Sequence, residues 1–189
     1  MNASFLAEKF AAALPYDRYV RTGTEEQQRR WQQLYAAAQV IDTQKQLVAG
    51  FVRDMKVLIV SGIWCGDCVQ QCPLLARIAE ANPTRIELRL LDRDEHRDLS
   101  EKVRINGGDR LPVALFLAED HELCSVFGDR TLNRYRALAA RQLGPSCPTG
   151  IVAPGADELA ATMQDWLNEF ERVQLMLRLS ARLRQKHQD

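Results

Sequence analysis

The sequence predicts an α/β protein whose core runs αβαβαββα, with helices added in front and one long helix behind. Three observations carry this expectation. Val57-Leu58-Ile59-Val60 is a short apolar run closed by Ser61-Gly62, the pattern of a strand buried on both faces. Further strand-like runs at 86–91, 113–117 and 123–127 alternate with stretches of helical periodicity. The flanking segments, 1–42 and 144–189, carry helical stripes or turn residues instead.

From the N-terminus, residues 3–14 read as a helix ending before Pro15, with Leu6, Phe10 and Leu14 four apart on one face. Thr24 and Gln27 form a capping-box pattern, and Trp31, Leu34, Tyr35 and Ala38 recur at helical spacing, so a second helix spans 25–39. Asp42 is the expected N-cap of a third, with Leu47, Val48, Phe51 and Val52 as its apolar stripe. After the 57–61 strand, a helix over 69–81 turns Leu74, Leu75, Ile78 and Ala79 inward, and Pro73 bends its first turns. The 86–91 strand follows. Leu99 and Val103 mark a helix before Gly107-Gly108, and Glu119-Asp120-His121 turns the 113–117 strand back into 123–127 as a hairpin. Leu132, Tyr135, Leu138 and Ala139 mark another helix. The three prolines and three glycines of 144–155 read as a loop. Beyond it, 157–186 reads as one helix with a heptad-like stripe at Leu159, Met163, Trp166, Phe170, Val173 and Leu177.

Composition narrows the function. At 189 residues with 46% hydrophobic and 26% charged residues, the chain can bury a real core without staples. Its 25 basic and 25 acidic residues cancel, which removes the electrostatic footprint of a general nucleic-acid binder. No uncharged run reaches the roughly 20 residues that a membrane-spanning helix needs. The N-terminus has no basic segment, and Glu8 and Lys9 interrupt any apolar stretch there, so a cytoplasmic, unprocessed protein is expected.

Five cysteines stand at 65, 68, 72, 124 and 147. An odd count with three inside eight residues fits redox or metal chemistry in a reducing compartment better than a disulfide framework. Zinc would need four ligands, and no second Cys or His pair accompanies Cys65 and Cys68. The run through Cys72-Pro73 echoes a ferredoxin cluster motif but lacks one cysteine. Disulfide exchange needs only the two thiols: Cys65 exposed at a helix N-terminus, where amide groups and the macrodipole favour its thiolate, and Cys68 shielded one turn inside. Cys65 would attack a substrate disulfide and Cys68 would resolve the mixed disulfide. No bound cofactor or metal is required.

Trp64-Cys65-Gly66-Asp67-Cys68, with Pro73 five residues after the second cysteine, resembles the active site of thioredoxin-like proteins. Leu111-Pro112 before a strand is similar to that family's cis-proline, and Gly128 to a glycine near its last strand. The resemblance covers 43–143. It implies a mixed central sheet in the order 86–91, 57–61, 113–117, 123–127, Cys65 as nucleophile, Cys68 as resolving thiol, and Trp64, Gly66, Asp67, Leu111 and Pro112 as support. It further implies a disulfide-containing protein substrate and an electron donor that the sequence does not identify. Two departures bear on mechanism: Ile59 replaces the family's buried aspartate, and Asp67 replaces the proline between the cysteines. The charge of Asp67 should raise the pKa of Cys65, and Arg110, just before Leu111, is expected to offset it.

The competing reading is a redox-inert binding or assembly module on the same scaffold. Cys72, four residues after Cys68, is expected as a small buried hydrophobe, with a third redox thiol as its other reading; Cys124 is expected in the core and Cys147 exposed in its loop. The last helix, about 45 Å long at 1.5 Å per residue, should overhang the core. Its second stripe at Met176, Leu179 and Leu183 then predicts a homodimer through this helix, or a kink that folds its end back.

Overall fold

The computed structural model describes residues 1–143 and 157–189. The predicted 144–155 loop and Cys147 lie outside them. A five-stranded mixed sheet runs β1-β3-β2-β4-β5, built from β1 (Leu14–Pro15), β2 (Met55–Ser61), β3 (Ile86–Asp92), β4 (Val113–Ala118) and β5 (Leu123–Gly128). β2 pairs parallel with β3 and antiparallel with β4, and β5 returns antiparallel on β4. The other four strands keep the predicted order, and β1 is an addition to it at the β3 edge.

That addition revises the N-terminus. α1 (Ala3–Ala12), capped by Asn2 whose side chain accepts from the Phe5 N–H at 2.9 Å, stops two residues earlier than expected. Proline biases the residue before it toward extended backbone and lacks a donor, which suits an edge position. Leu14 and Pro15 accordingly pair antiparallel with Leu90 and Arg89. A short α2 (Tyr16–Val20), unpredicted, follows directly and buries Tyr19.

α3 (Glu25–Ala37) starts at the predicted capping box, with Thr24 N–H donating to the Gln27 side chain at 2.8 Å. α4 (Asp42–Ala49) places Asp42 inside the helix rather than at its cap; Gln44 reaches back to accept from the Ile41 N–H at 3.1 Å, so the reaching side chain comes from the third helical position. α5 (Gly66–Glu80) runs through Pro73 and begins three residues earlier than predicted, at the cysteine pair itself. A short α6 (Arg97–Ser100) and a 3-10 turn (Glu101–Val103) precede β4, and α7 (Leu132–Leu143) follows β5.

α8 (Glu158–Leu179) buries the predicted stripe from Met163 to Leu177, with Phe170 edge-on to Phe116 at 5.1 Å and Trp166 edge-on to Phe127 at 5.0 Å. Gln174 clamps it to the segment before β2, accepting from the Arg53 N–H at 2.9 Å and donating to the Arg53 carbonyl at 3.1 Å. The single long helix is corrected here. The chain breaks at Ser180, which caps α9 (Ala181–His187), and the expected second stripe splits: Leu183 is fully buried while Leu179 is 78% exposed. The break lets Arg182 pair with Asp120, and Lys186 and His187 with Glu119, in the β4–β5 turn. No helix among the described residues is long and apolar enough to cross a membrane.

Candidate active site

β2 delivers the chain to the site. After Ser61, Gly62 lies between the Trp64 ring and Leu111: a Cβ there would stand 2.9 Å from the ring and 3.2 Å from the Leu111 side chain. This close approach joins the cysteine loop to the Leu111-Pro112 loop. The Leu111–Pro112 peptide is cis, and both residues are buried. Gly128 faces Val113 across the β4–β5 ladder, where a Cβ would meet the Pro112 carbonyl oxygen at 2.3 Å. Only glycine fits there. Gly66 has no such constraint, since nothing lies within 4 Å of a Cβ built on it.

The loop is anchored from the N-terminal extension. Trp31, fully buried, donates its indole N–H to the Ile63 carbonyl at 2.9 Å. Trp64 itself is 52% exposed, with the Arg93 guanidinium over its ring at 4.9 Å. Cys65 occupies the N-cap position of α5, half-buried, and Cys68 one turn inside is fully buried. The two thiols are free and close enough to act on one another's charge.

This arrangement opposes the expected acidity of Cys65. The neighbouring Cys68 thiol and then burial push the Cys65 thiol far above its ordinary value, outweighing the backbone groups of Cys68 and Asp67 that favour the thiolate. Burial also pushes Cys68 up, with Cys65 and Ser61 acting in the opposite sense. The dithiol is therefore the resting protonation state, because a lone negative charge here would be poorly solvated.

Asp67 does not face an unopposed thiol. Arg130 grips both its carboxylate oxygens, one at 3.0 Å through Nε, and Arg134 adds a contact at 3.1 Å. Arg110, expected to offset Asp67, pairs instead with Asp129 at 3.3 Å. Asp129 is fully buried; burial pushes its carboxyl up, but the Tyr135 hydroxyl, Arg110 and Arg130 hold it below the usual carboxylate range. Gln71 on α5 donates to the Asp129 carbonyl at 2.8 Å, tying the helix to the segment after Gly128. Arg130, Arg134, Asp129, Gln71 and Tyr135 were not singled out by sequence. The available signal was a carboxylate in the first turn of a buried helix, which demands a cationic partner, and arginines at 130 and 134 share one helical spacing.

Cys72 is fully buried, with its sulfur 3.8 Å from the Ser61 hydroxyl. Cys124 is half-buried rather than in the core, because β5 is the sheet edge. Among the described residues no cluster of His, Cys, Asp and Glu is arranged to hold a metal ion.

A dithiol at a helix N-terminus, facing a cis-proline loop on this sheet, defines a protein of the thioredoxin fold. The chain belongs to the thioredoxin family, whose family model matches residues 13–140. A protein of unknown function from Pseudomonas aeruginosa is 21% identical, with a TM-score of 0.67 over 88% of this chain and 96% of its own. An HIV epitope scaffold is 16% identical, with a TM-score of 0.63 over 88% and 95%. Both likenesses extend well beyond 43–143, so the helical additions belong to a shared architecture. No curated protein matches the chain.

Proposed function

We propose that this chain is a thiol-disulfide oxidoreductase that reduces protein disulfides through Cys65 and Cys68. The observation that carries the reading is the asymmetry of the pair: two free thiols close together, one half-exposed at a helix N-terminus and the other sealed one turn inside. The Cys65 thiolate attacks a substrate sulfur, the substrate disulfide breaks, and one substrate thiolate leaves and takes up a proton. Cys68 then attacks the Cys65 sulfur, the mixed disulfide breaks, and the second substrate thiolate leaves. Two electrons pass to the substrate, and Cys65–Cys68 becomes a disulfide that an external donor must reduce. The Leu111-Pro112 loop holds the substrate backbone beside the thiols. The setting is the cytoplasm, where thiols are kept reduced.

Family membership supports redox chemistry at the general level, while the substrate and donor rest on this reading alone. One observation favours the rival binding module: both thiols are held protonated, which weakens the nucleophile. Insulin-disulfide reduction with dithiothreitol as donor separates the two. Turnover by the wild type that vanishes in Cys65→Ser is expected; background rates in both would favour the module.

A further inference from the structure

Resolution of a mixed disulfide requires Cys68 to become a thiolate inside the protein. Ile59, facing this region from β2, is fully buried and offers no base. What surrounds Cys68 instead is a cluster of neutral polar groups. Ser61, at the end of β2, and Cys72, one turn further along α5, both lie close enough to the Cys68 thiol to bear on its charge. Ser61 and Cys72 are themselves 3.8 Å apart and fully buried.

Behind Ser61 stands Tyr19 from α2. Its ring packs edge-on to Trp31 at 5.6 Å, and its hydroxyl lies beside Ser61. That hydroxyl is buried without a hydrogen-bond partner among the described residues, as is that of Tyr16. A buried phenol left unpaired is costly, so its retention beside the redox pair calls for a state in which it is used. The titratable groups around the cluster are Cys65 and Cys72 on α5, Tyr16 and Tyr19 on α2, and Asp92 at the end of β3.

We propose that Ser61, backed by Tyr19 from the N-terminal extension, is a positioning residue that donates a hydrogen bond to the Cys68 thiolate during resolution. This rests on the redox reading above. Ser61 keeps its own proton throughout; the proton of Cys68 passes to solvent or to the departing substrate sulfur, as Cys68 forms its bond to Cys65. Tyr19 stays protonated, since burial pushes its phenol well above the ordinary value, and acts only as a donor to Ser61. Neutral hydroxyls thus serve where β2 presents Ile59 in place of a carboxylate, and the added helix supplies one of them.

Dithiobis(nitrobenzoate) gives a direct test with the full chain. Its first release of nitrothiolate reports attack by Cys65, and its second reports resolution by Cys68. A hydrogen bond to a charged sulfur predicts a second phase about tenfold slower in Ser61→Ala and roughly threefold slower in Tyr19→Phe, with the first phase unchanged. The pH profile of the second phase should move upward by about one unit in Ser61→Ala, a shift that general loosening of the fold would not produce. Tyr19→Phe keeps the ring on Trp31, so it reports on the hydroxyl alone. Second phases equal to wild type in Ser61→Ala, or both phases slowed equally, would overturn the inference. A wild type that releases nitrothiolate once, with no second phase, would instead sink the redox reading itself.

Discussion

At Asp67 two influences on the nucleophile meet. Its charge alone opposes a thiolate at Cys65, but Arg130 and Arg134 hold that charge, and their guanidinium groups bring positive charge to the same helix end. Asp67→Asn therefore removes the negative charge while Arg130 and Arg134 stay in place through Asp129 and Glu158, and should lower the pH at which Cys65 is alkylated by iodoacetamide, whereas Arg130→Ala should raise it. Arg110→Ala should leave that pH unmoved, because Arg110 is committed to Asp129. Alkylation rates measured across pH check all three, and a shift of the same sign in Asp67→Asn and Arg130→Ala would contradict this account. The cysteine pair and the proline were legible from local spacing. Arg130 and Arg134 were not, because 63 and 67 residues separate them from Asp67 and only the fold brings them together.

At the scale of elements, periodicity served where one face of a helix is buried and failed where backbone geometry decides. The stripe of α8 was readable because Met163, Trp166, Phe170, Val173 and Leu177 all face the core. The break at Ser180 was not, since serine is tolerated within helices and the competing contacts of Arg182, Lys186 and His187 lie in a distant turn. The break turns Leu183 into its own subunit and leaves Met176 and Leu179 exposed as what remains of the stripe for a second copy. Leu183→Ala should thus cost about 2–4 kcal/mol, as truncation of a buried leucine does, and Leu179→Ala less than about 0.5 kcal/mol. Urea denaturation of both variants checks this; similar losses at the two positions would restore the continuous helix. β1 was missed for a related reason: two residues carry no period, and their pairing with β3 depends on where α1 ends.

Across the whole molecule the added helices and the thioredoxin core form one structure around the dithiol. Trp31 holds the cysteine loop from one side, Gln174 fastens α8 beside the start of β2, and α9 grips the β4–β5 turn. The buried dithiol then couples redox state to global stability. Both thiols have folded-state values raised above that of unfolded cysteine, so their contribution is full below about pH 8.5 and is lost as pH rises beyond it. The disulfide form lacks both groups. Its melting temperature should therefore gain on that of the dithiol form as pH increases above about 8.5, and a gap independent of pH would contradict the buried, protonated pair. The division of labour between the two sulfurs is open to a still more direct measurement, the intact mass of single-cysteine variants mixed with a disulfide substrate. Cys68→Ser should accumulate a covalent mixed disulfide at Cys65, and Cys65→Ser should form none at Cys68. No adduct in either variant, or an adduct at another cysteine, would contradict Cys65 as the nucleophile and Cys68 as the thiol that resolves it.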